Sequence, residues 1–266
     1  MMRISTIASG SSGNCVYVGS DNTHVLVDVG ISGKRTEMGL NANGISMKDI
    51  NAVLITHEHI DHINGLGVIS RKYGIPIYTT KETADAIKAN TKLGKIPEDL
   101  YVNIKADSPF NIGDLEVCPF SISHDAVRPV AYRFNKEGKS VAVATDMGKY
   151  DDYIVGNLKD LDALLIEANH DVRMLMAGTY PYYLKQRILG EKGHLSNETS
   201  GKLINDILHD GLKYILLGHL SKENNYEDLA YETVKSEIAV SDNEYKADDF
   251  NIVVAKRDIN SMLFCV

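Results

Sequence analysis

Ala52-Val53-Leu54-Ile55-Thr56-His57-Glu58-His59-Ile60-Asp61-His62 runs an unbroken apolar stretch directly into three histidines and an aspartate. Consecutive apolar residues without polar alternation predict a strand covered on both faces, so the polar cluster begins where a buried strand ends. A rigid strand fixes the start of the loop. Neutral imidazole and carboxylate are the donors that hold zinc and similar divalent ions, so the loop has the chemistry of a ligand set. The plainer reading is a polar surface loop with ordinary histidines. Three further residues argue against it, because His124, Asp146 and His219 each lie just past another apolar run: Val117–Ile122, Val141–Ala144 and Tyr214–Leu217. Several strand ends are expected to converge on one site.

Working outward, apolar runs of strand length recur at Ile4–Ala8, Cys15–Val18, Val25–Val29, Ile75–Tyr78, Leu115–Ile122 and Ala163–Ile166. Helices are expected from Thr80 to about Asn90, from Ser196 or Asn197 to near Asp210, and from Asn225 through Ala230, Val234 and Ile238. This is an α/β pattern. Lys92–Phe110 reads as an irregular surface loop. With no repeat, low-complexity tract or Pro/Gly linker, residues 1–266 are expected to form a single domain. Composition is that of a folded globular chain, 44% hydrophobic and 24% charged, which excludes disordered and collagen-like classes. The formal charge of -8 supplies no net attraction for nucleic acid, so an anionic substrate needs a local positive source. Three widely spaced cysteines in apolar surroundings, Cys15, Cys118 and Cys265, fit buried thiols of a reducing cytoplasm. The N-terminus carries no signal-peptide pattern, and no run approaches the length of a membrane span. A cytoplasmic protein without membrane association is expected.

The order His57-x-His59-x-Asp61-His62, then a lone His124, a lone Asp146 and a lone His219, resembles the metallo-β-lactamase superfamily along essentially the whole chain. That resemblance implies an αββα four-layer sandwich of two mixed β-sheets flanked by helices. It implies two divalent metal ions, Zn, Mn or Fe, with His57, His59 and His124 on one, Asp61, His62 and His219 on the other, and Asp146 bridging. Asp61 and Asp146 thereby count among the catalytic residues. Related di-iron flavoprotein reductases carry Glu at the position of His59, and the β-lactamases lack the bridging Asp. This chain resembles instead the dinuclear hydrolases, in which two ions hold a shared hydroxide as nucleophile. Asp28, after Val25-Leu26-Val27, matches an Asp that braces the ligand loop, although a turn-forming Asp would suit the same position.

The ligands alone do not choose a substrate. Leu165-Ile166-Glu167-Ala168-Asn169-His170 and Gly193-His194-Leu195-Ser196 resemble elements of tRNA 3′-processing endonucleases, which implies His194 as general acid oriented by Glu167. Read alone, His194 would be a helix-cap neighbour. His170 either faces the site as a supporting residue or merely ends a strand. In Thr179–Arg187, Tyr182 and Tyr183 beside Lys185 and Arg187 suit stacking on bases and contact with phosphates, or equally an amphipathic helix with buried tyrosines. Ser9-Gly10-Ser11-Ser12-Gly13-Asn14 reads first as a hairpin connection; the alternative is an anion cradle using Ser11 and Asn14. Together with Glu167–Asp171, Tyr180–Leu189, Gly193–Asn197 and Gly218–Asn225, this loop resembles the bacterial YycJ/WalJ-like exonuclease group. The resemblance implies a 5′→3′ DNA exonuclease acting in repair, with nucleic acid and DNA-repair proteins as partners. The short gap between Asp146 and His219 leaves no room for the accessory domain of larger RNA-processing cousins. Two other readings remain: a glyoxalase-type thioesterase or lactonase using the same ligands, and a non-catalytic module stabilised by metal.

Overall fold

Fourteen strands and nine helices make up the computed structural model, which describes residues 1–266. The first half supplies β1 (Arg3–Ala8), β2 (Cys15–Gly19), β3 (His24–Val27), α1 (Gly33–Ala42), β4 (Ala52–Leu54), α2 (Ile60–Ile63), α3 (Leu66–Tyr73), β5 (Ile77–Thr80), α4 (Lys81–Ala89), β6 (Tyr101–Ile104), β7 (Phe110–Ile112) and β8 (Leu115–Ser121). The second supplies β9 (Val130–Lys136), β10 (Lys139–Ala144), α5 (Asp152–Leu158), β11 (Ala163–Glu167), α6 (Val172–Ala177), α7 (Tyr182–Leu189), α8 (Asn197–Asn205), β12 (Tyr214–Gly218), α9 (Glu227–Val240), β13 (Asn251–Val254) and β14 (Phe264–Cys265). One seven-stranded sheet runs β14-β1-β2-β3-β4-β5-β6 and the other β13-β12-β11-β10-β9-β8-β7.

The continuous apolar runs split by side-chain alternation between two hydrophobic layers. In β11, Ala163 and Leu165 face the core between the sheets, whereas Leu164 and Ile166 face the outer core shared with α5, α8 and α9. In β4, Ala52 and Leu54 face inward, and Val53 faces α1, α3 and α4 on the other side. Both sheets are thus covered twice, and the architecture is the expected four-layer sandwich of mixed sheets. Strand polarity then positions the site. β3, β4, β5 and β6 are mutually parallel, as are β10, β11, β12 and β13, so their C-terminal ends gather along one edge.

Several local expectations are corrected. Lys92–Phe110 is not a plain loop: 3₁₀ turns at 91–93 and 98–100 lead into β6, which pairs with β5 through Ile77↔Tyr101. Its exposed Val102 and Asn103 give no apolar run, as befits an edge strand. Asn225 does not cap the following helix, which Tyr226 precedes directly. Its amide is turned inward, donating to the carbonyls of Ala168 (2.8 Å) and Asn169 (3.1 Å). The helix that Ser196 caps stops at Asn205, short of Asp210. Only Cys15 is a buried thiol; Cys118 is half-buried and Cys265 is exposed on the two-residue β14.

Candidate metal centre

Each ligand candidate leaves a strand end through a short backbone manoeuvre. Asp28, Asp146 and His219 follow β3, β10 and β12 with φ of 59°, 62° and 54°, a left-handed conformation that non-glycine residues rarely adopt. Three such residues at one edge mark where the surrounding structure over-determines the backbone. The loop after β4 is held in turn by neighbouring backbone. Val29 N donates to His62 O and Asn14 N to Asp61 O, both at 2.8 Å. Gly30 has no alternative here, since a Cβ on it would lie 1.6 Å from Asp61 O.

These constraints converge the donor atoms of His57, His59 and His124 into one group and those of Asp61, His62 and His219 into another, while Asp146 groups with His57 and His62. The Asp146 oxygens reach His62 Nε2 at 3.3 Å and His219 Nε2 at 3.4 Å, with His124 Nε2 at 3.7 Å. His57 Nε2, His219 Nε2 and Asp146 Oδ2 are buried and have no hydrogen-bond partner. Orphaned inward-facing donors of this type cost stability unless a cation satisfies them, so the residues fit divalent metal.

The electrostatics agree. Burial, aided by neighbouring imidazoles, pushes His57 well below its ordinary value and keeps its lone pair free. Burial opposes charge on His219, yet Asp146, Asp61 and Glu167 raise it to about 10. Against the same burial, His219 and His62 hold Asp146 far below the carboxylate range. The centre is therefore a buried set of imidazoles in which the carboxylates of Asp61, Asp146 and Glu167 favour positive charge.

Other ring nitrogens are anchored from behind. Asp28 Oδ2 lies 2.7 Å from His62 Nδ1 and accepts from Thr56 Oγ1 at 2.8 Å; Thr56 Oγ1 is in turn 2.9 Å from His57 Nδ1. His124 Nδ1 lies 3.1 Å from Gly193 O. Such contacts orient the rings and fix which nitrogen faces inward. Glu167 Oε2 lies 3.1 Å from His194 Nδ1 and 3.6 Å from His219 Nδ1, linking the two imidazoles, and its other oxygen accepts from Leu195 N at 3.2 Å. Burial favours the neutral acid, but His194 and His219 keep Glu167 below its usual range. His194 also comes within 3.7 Å of Asp146 and is 19% exposed, a position open to substrate.

The remaining candidates divide. His170 is buried with both ring nitrogens unpartnered, and burial depresses it to about 4. Tyr182 and Tyr183 are 72% and 74% exposed on α7, not buried in an amphipathic face. Lys185 directs its ammonium to the carbonyls of Met176 and Gly178, tying α7 to the end of α6. Arg187 pairs with Asp125 at the rim. Asn14 turns its amide to His62 Nε2 at 3.1 Å, while Ser11 stays exposed. Sequence reasoning overlooked Asp125, whose buried Oδ1 lies 3.4 Å from His124 Nε2; its adjacency to His124 was the available signal. It also overlooked Thr56, Ser9, whose hydroxyl accepts from His219 N at 2.9 Å, and Asn169, which donates to His219 O at 2.9 Å.

A four-layer sandwich with a histidine-aspartate centre at its strand ends defines a class, and the comparisons agree with it. The family described as "Beta-lactamase superfamily domain" matches residues 23–215, and the chain belongs to the metallo-β-lactamase superfamily. Exodeoxyribonuclease WalJ of Streptococcus pneumoniae serotype 2 is 42% identical over 240 residues, covering 90% of this chain and 89% of that protein. Exodeoxyribonuclease YycJ of Bacillus anthracis is 41% identical over 229 residues, covering 86% of each. The metallo-β-lactamase-fold protein YhfI of Bacillus subtilis superposes with a TM-score of 0.70 at 18% identity over 98% of both chains, which speaks for the fold. Within its superfamily the chain falls in the YycJ/WalJ-like group. No helix is long and apolar enough to cross a membrane.

Proposed function

We propose that residues 1–266 act as one hydrolase domain, a dinuclear metal-dependent phosphodiesterase that degrades DNA 5′→3′, working in the cytoplasm in repair alongside other repair proteins. The observation that carries the reading is His194, joined to Glu167 at 3.1 Å and grouped with His124 and Asp146 beside the candidate ligands. The names of the relatives supply DNA as substrate. His57, His59 and His124 would hold one ion, Asp61, His62 and His219 the other, with Asp146 between them. Bound there, divalent ions supply Lewis acidity and lower the pKa of water. The chain's own residues do the rest. Asp28 and Thr56 keep His62 and His57 aimed inward, and Glu167 orients His194 so that Nε2 can deliver a proton to the departing oxygen. With divalent ions held by these residues, the positive source that a net charge of -8 does not supply to a phosphodiester would be local.

The test offers metal-reconstituted protein 5′-labelled and 3′-labelled DNA and RNA together with a thioester. Stepwise mononucleotide release from the 5′ end of DNA is the expected result, and fast thioester turnover with intact nucleic acid would replace the reading by a thioesterase. In His194→Ala, metal content should persist while the rate on DNA falls by ~10²–10⁴-fold, as loss of a general acid predicts. Parental rates in that variant would remove His194 from the chemistry.

A further inference from the structure

Beside the metal centre, where the ends of β12 and β13 meet the Ser9–Asn14 loop, lies a cavity of about 260 Å³ whose lining includes Ser9, Ser221, Lys222, Tyr226, Glu227 and Arg257. It shares walls with the centre. Ser9 Oγ accepts from the backbone of His219 at 2.9 Å, and Ser221 and Lys222 follow His219 in the chain. The same six-residue loop lines the cavity through Ser9, holds its Arg257 through Ser12 Oγ, and places Asn14 3.1 Å from His62 Nε2 at its other end. One loop length therefore separates the two sites.

The chemistry of the lining is specific. Arg257 is held by Leu220 O (3.0 Å) and Ser12 Oγ (3.4 Å), and neither Arg257 nor Lys222 has a carboxylate partner. Glu227, the acidic wall residue, faces Lys256 Nζ at 3.9 Å. Ser9 and Ser221 are buried, and Tyr226, 55% exposed as a residue, also lines the cavity. Two cations without carboxylates, hydroxyls and an exposed tyrosine together match the phosphate and base of one nucleotide. An acidic chain that grips a polyanion has reason to keep such cations uncommitted.

We propose that this cavity is a nucleotide subsite of the DNA track: Arg257 and Lys222 hold a backbone phosphate flanking the one that is cut, and Tyr226 stacks on the attached base. The inference rests on the nuclease reading. It is tested with full-length, zinc-loaded protein and a labelled single strand carrying phosphorothioate linkages, by anisotropy across a salt series. Lys222→Gln should weaken binding several-fold and make the log–log salt slope shallower by about 0.7, the single-strand value for one phosphate. Tyr226→Ala should weaken binding by about fivefold or more without changing that slope. Because Arg257 also supports the loop, Arg257→Gln is read only with an unchanged unfolding midpoint, and Lys48→Ala, at the opposite edge, should bind as the parent. Parental affinity and slope in both Lys222→Gln and Tyr226→Ala would overturn the subsite alone. Loss of thymidine monophosphate binding in those variants, with strand affinity intact, would overturn it in favour of a site for free nucleotides. A parent protein that binds no strand would instead remove the nuclease reading.

Discussion

His170 shows what burial does to a single residue. Its imidazole is enclosed without a partner for either nitrogen, and burial depresses it from the ordinary histidine value of ~6.5 to about 4. Between those values the unfolded chain takes up a proton that the folded chain refuses. Stability is therefore whole above pH ~6.5 and falls as the pH drops towards 4, by an amount on the order of 3 kcal/mol at ~1.4 kcal/mol per unit. Denaturant titrations of chelated protein at pH 7 and pH 4.5 should show a steeper loss for the parent than for His170→Leu. Equal losses would mean that the ring reaches solvent or a partner. At the same scale, six positions leave the usual backbone region without being glycine, and Asp28, Asp146 and His219 are half of them. Five of the six are Asp or His, the side chains that tolerate this conformation best after glycine and asparagine, and Asp28, Asp146 and His219 adopt it directly or one residue past the ends of their strands.

Elements determine whether the candidate residues meet. The four-residue α2 carries Asp61 and His62, and it is pinned by the backbone N–H groups of Asn14 and Val29 as well as by its own short hydrogen-bond ladder. Gly30→Ala should force this contact apart, costing ~1–3 kcal/mol as overpacking does and lowering metal stoichiometry, read by elemental analysis. Full metal content in that variant would show that the loop can retreat without losing its ligands. α7 behaves in the opposite way, because its tyrosines pack against nothing. Replacing both Tyr182 and Tyr183 by Ala should leave unfolding free energy within ~0.5 kcal/mol while weakening single-strand binding by ~1–3 kcal/mol for each stacked base. The anchors of α7 are Lys185 on the carbonyls of Met176 and Gly178 and Arg187 on Asp125, so the cations first read as phosphate contacts also hold the helix at the rim.

At the scale of the molecule, two sheets share one inner core, and the site lies on the edge where their strands end. Leu165 belongs to that inner core and is completely buried, so Leu165→Ala should cost ~2–5 kcal/mol in urea unfolding. Saturating zinc should raise the midpoint of the parent, because the cation binds only the assembled cage. It should raise Asp146→Ala less. An identical shift in both proteins would place the bound ion elsewhere.

The local chemistry was legible before any coordinates: unbroken apolar runs marked doubly covered strands, and the polar residues at their ends marked the seven ligand candidates. Not every strand was read: β6 exposes Val102 and Asn103 and β14 is only two residues long, while β9, an interior strand that buries Val130, Ala131, Tyr132 and Phe134, was overlooked although its pattern is apolar. The site's supporting contacts were also hidden. Asp125 paired with Arg187, Ser9 behind His219 and the cavity under Arg257 join stretches far apart in the chain, and only tertiary packing sets those distances. Burial leaves its mark on residue type, so the doubly covered strands, and the polar residues at their ends, were readable from the sequence by itself. Through-space contact between surface polar groups leaves no such mark, and for that the folded structure was decisive.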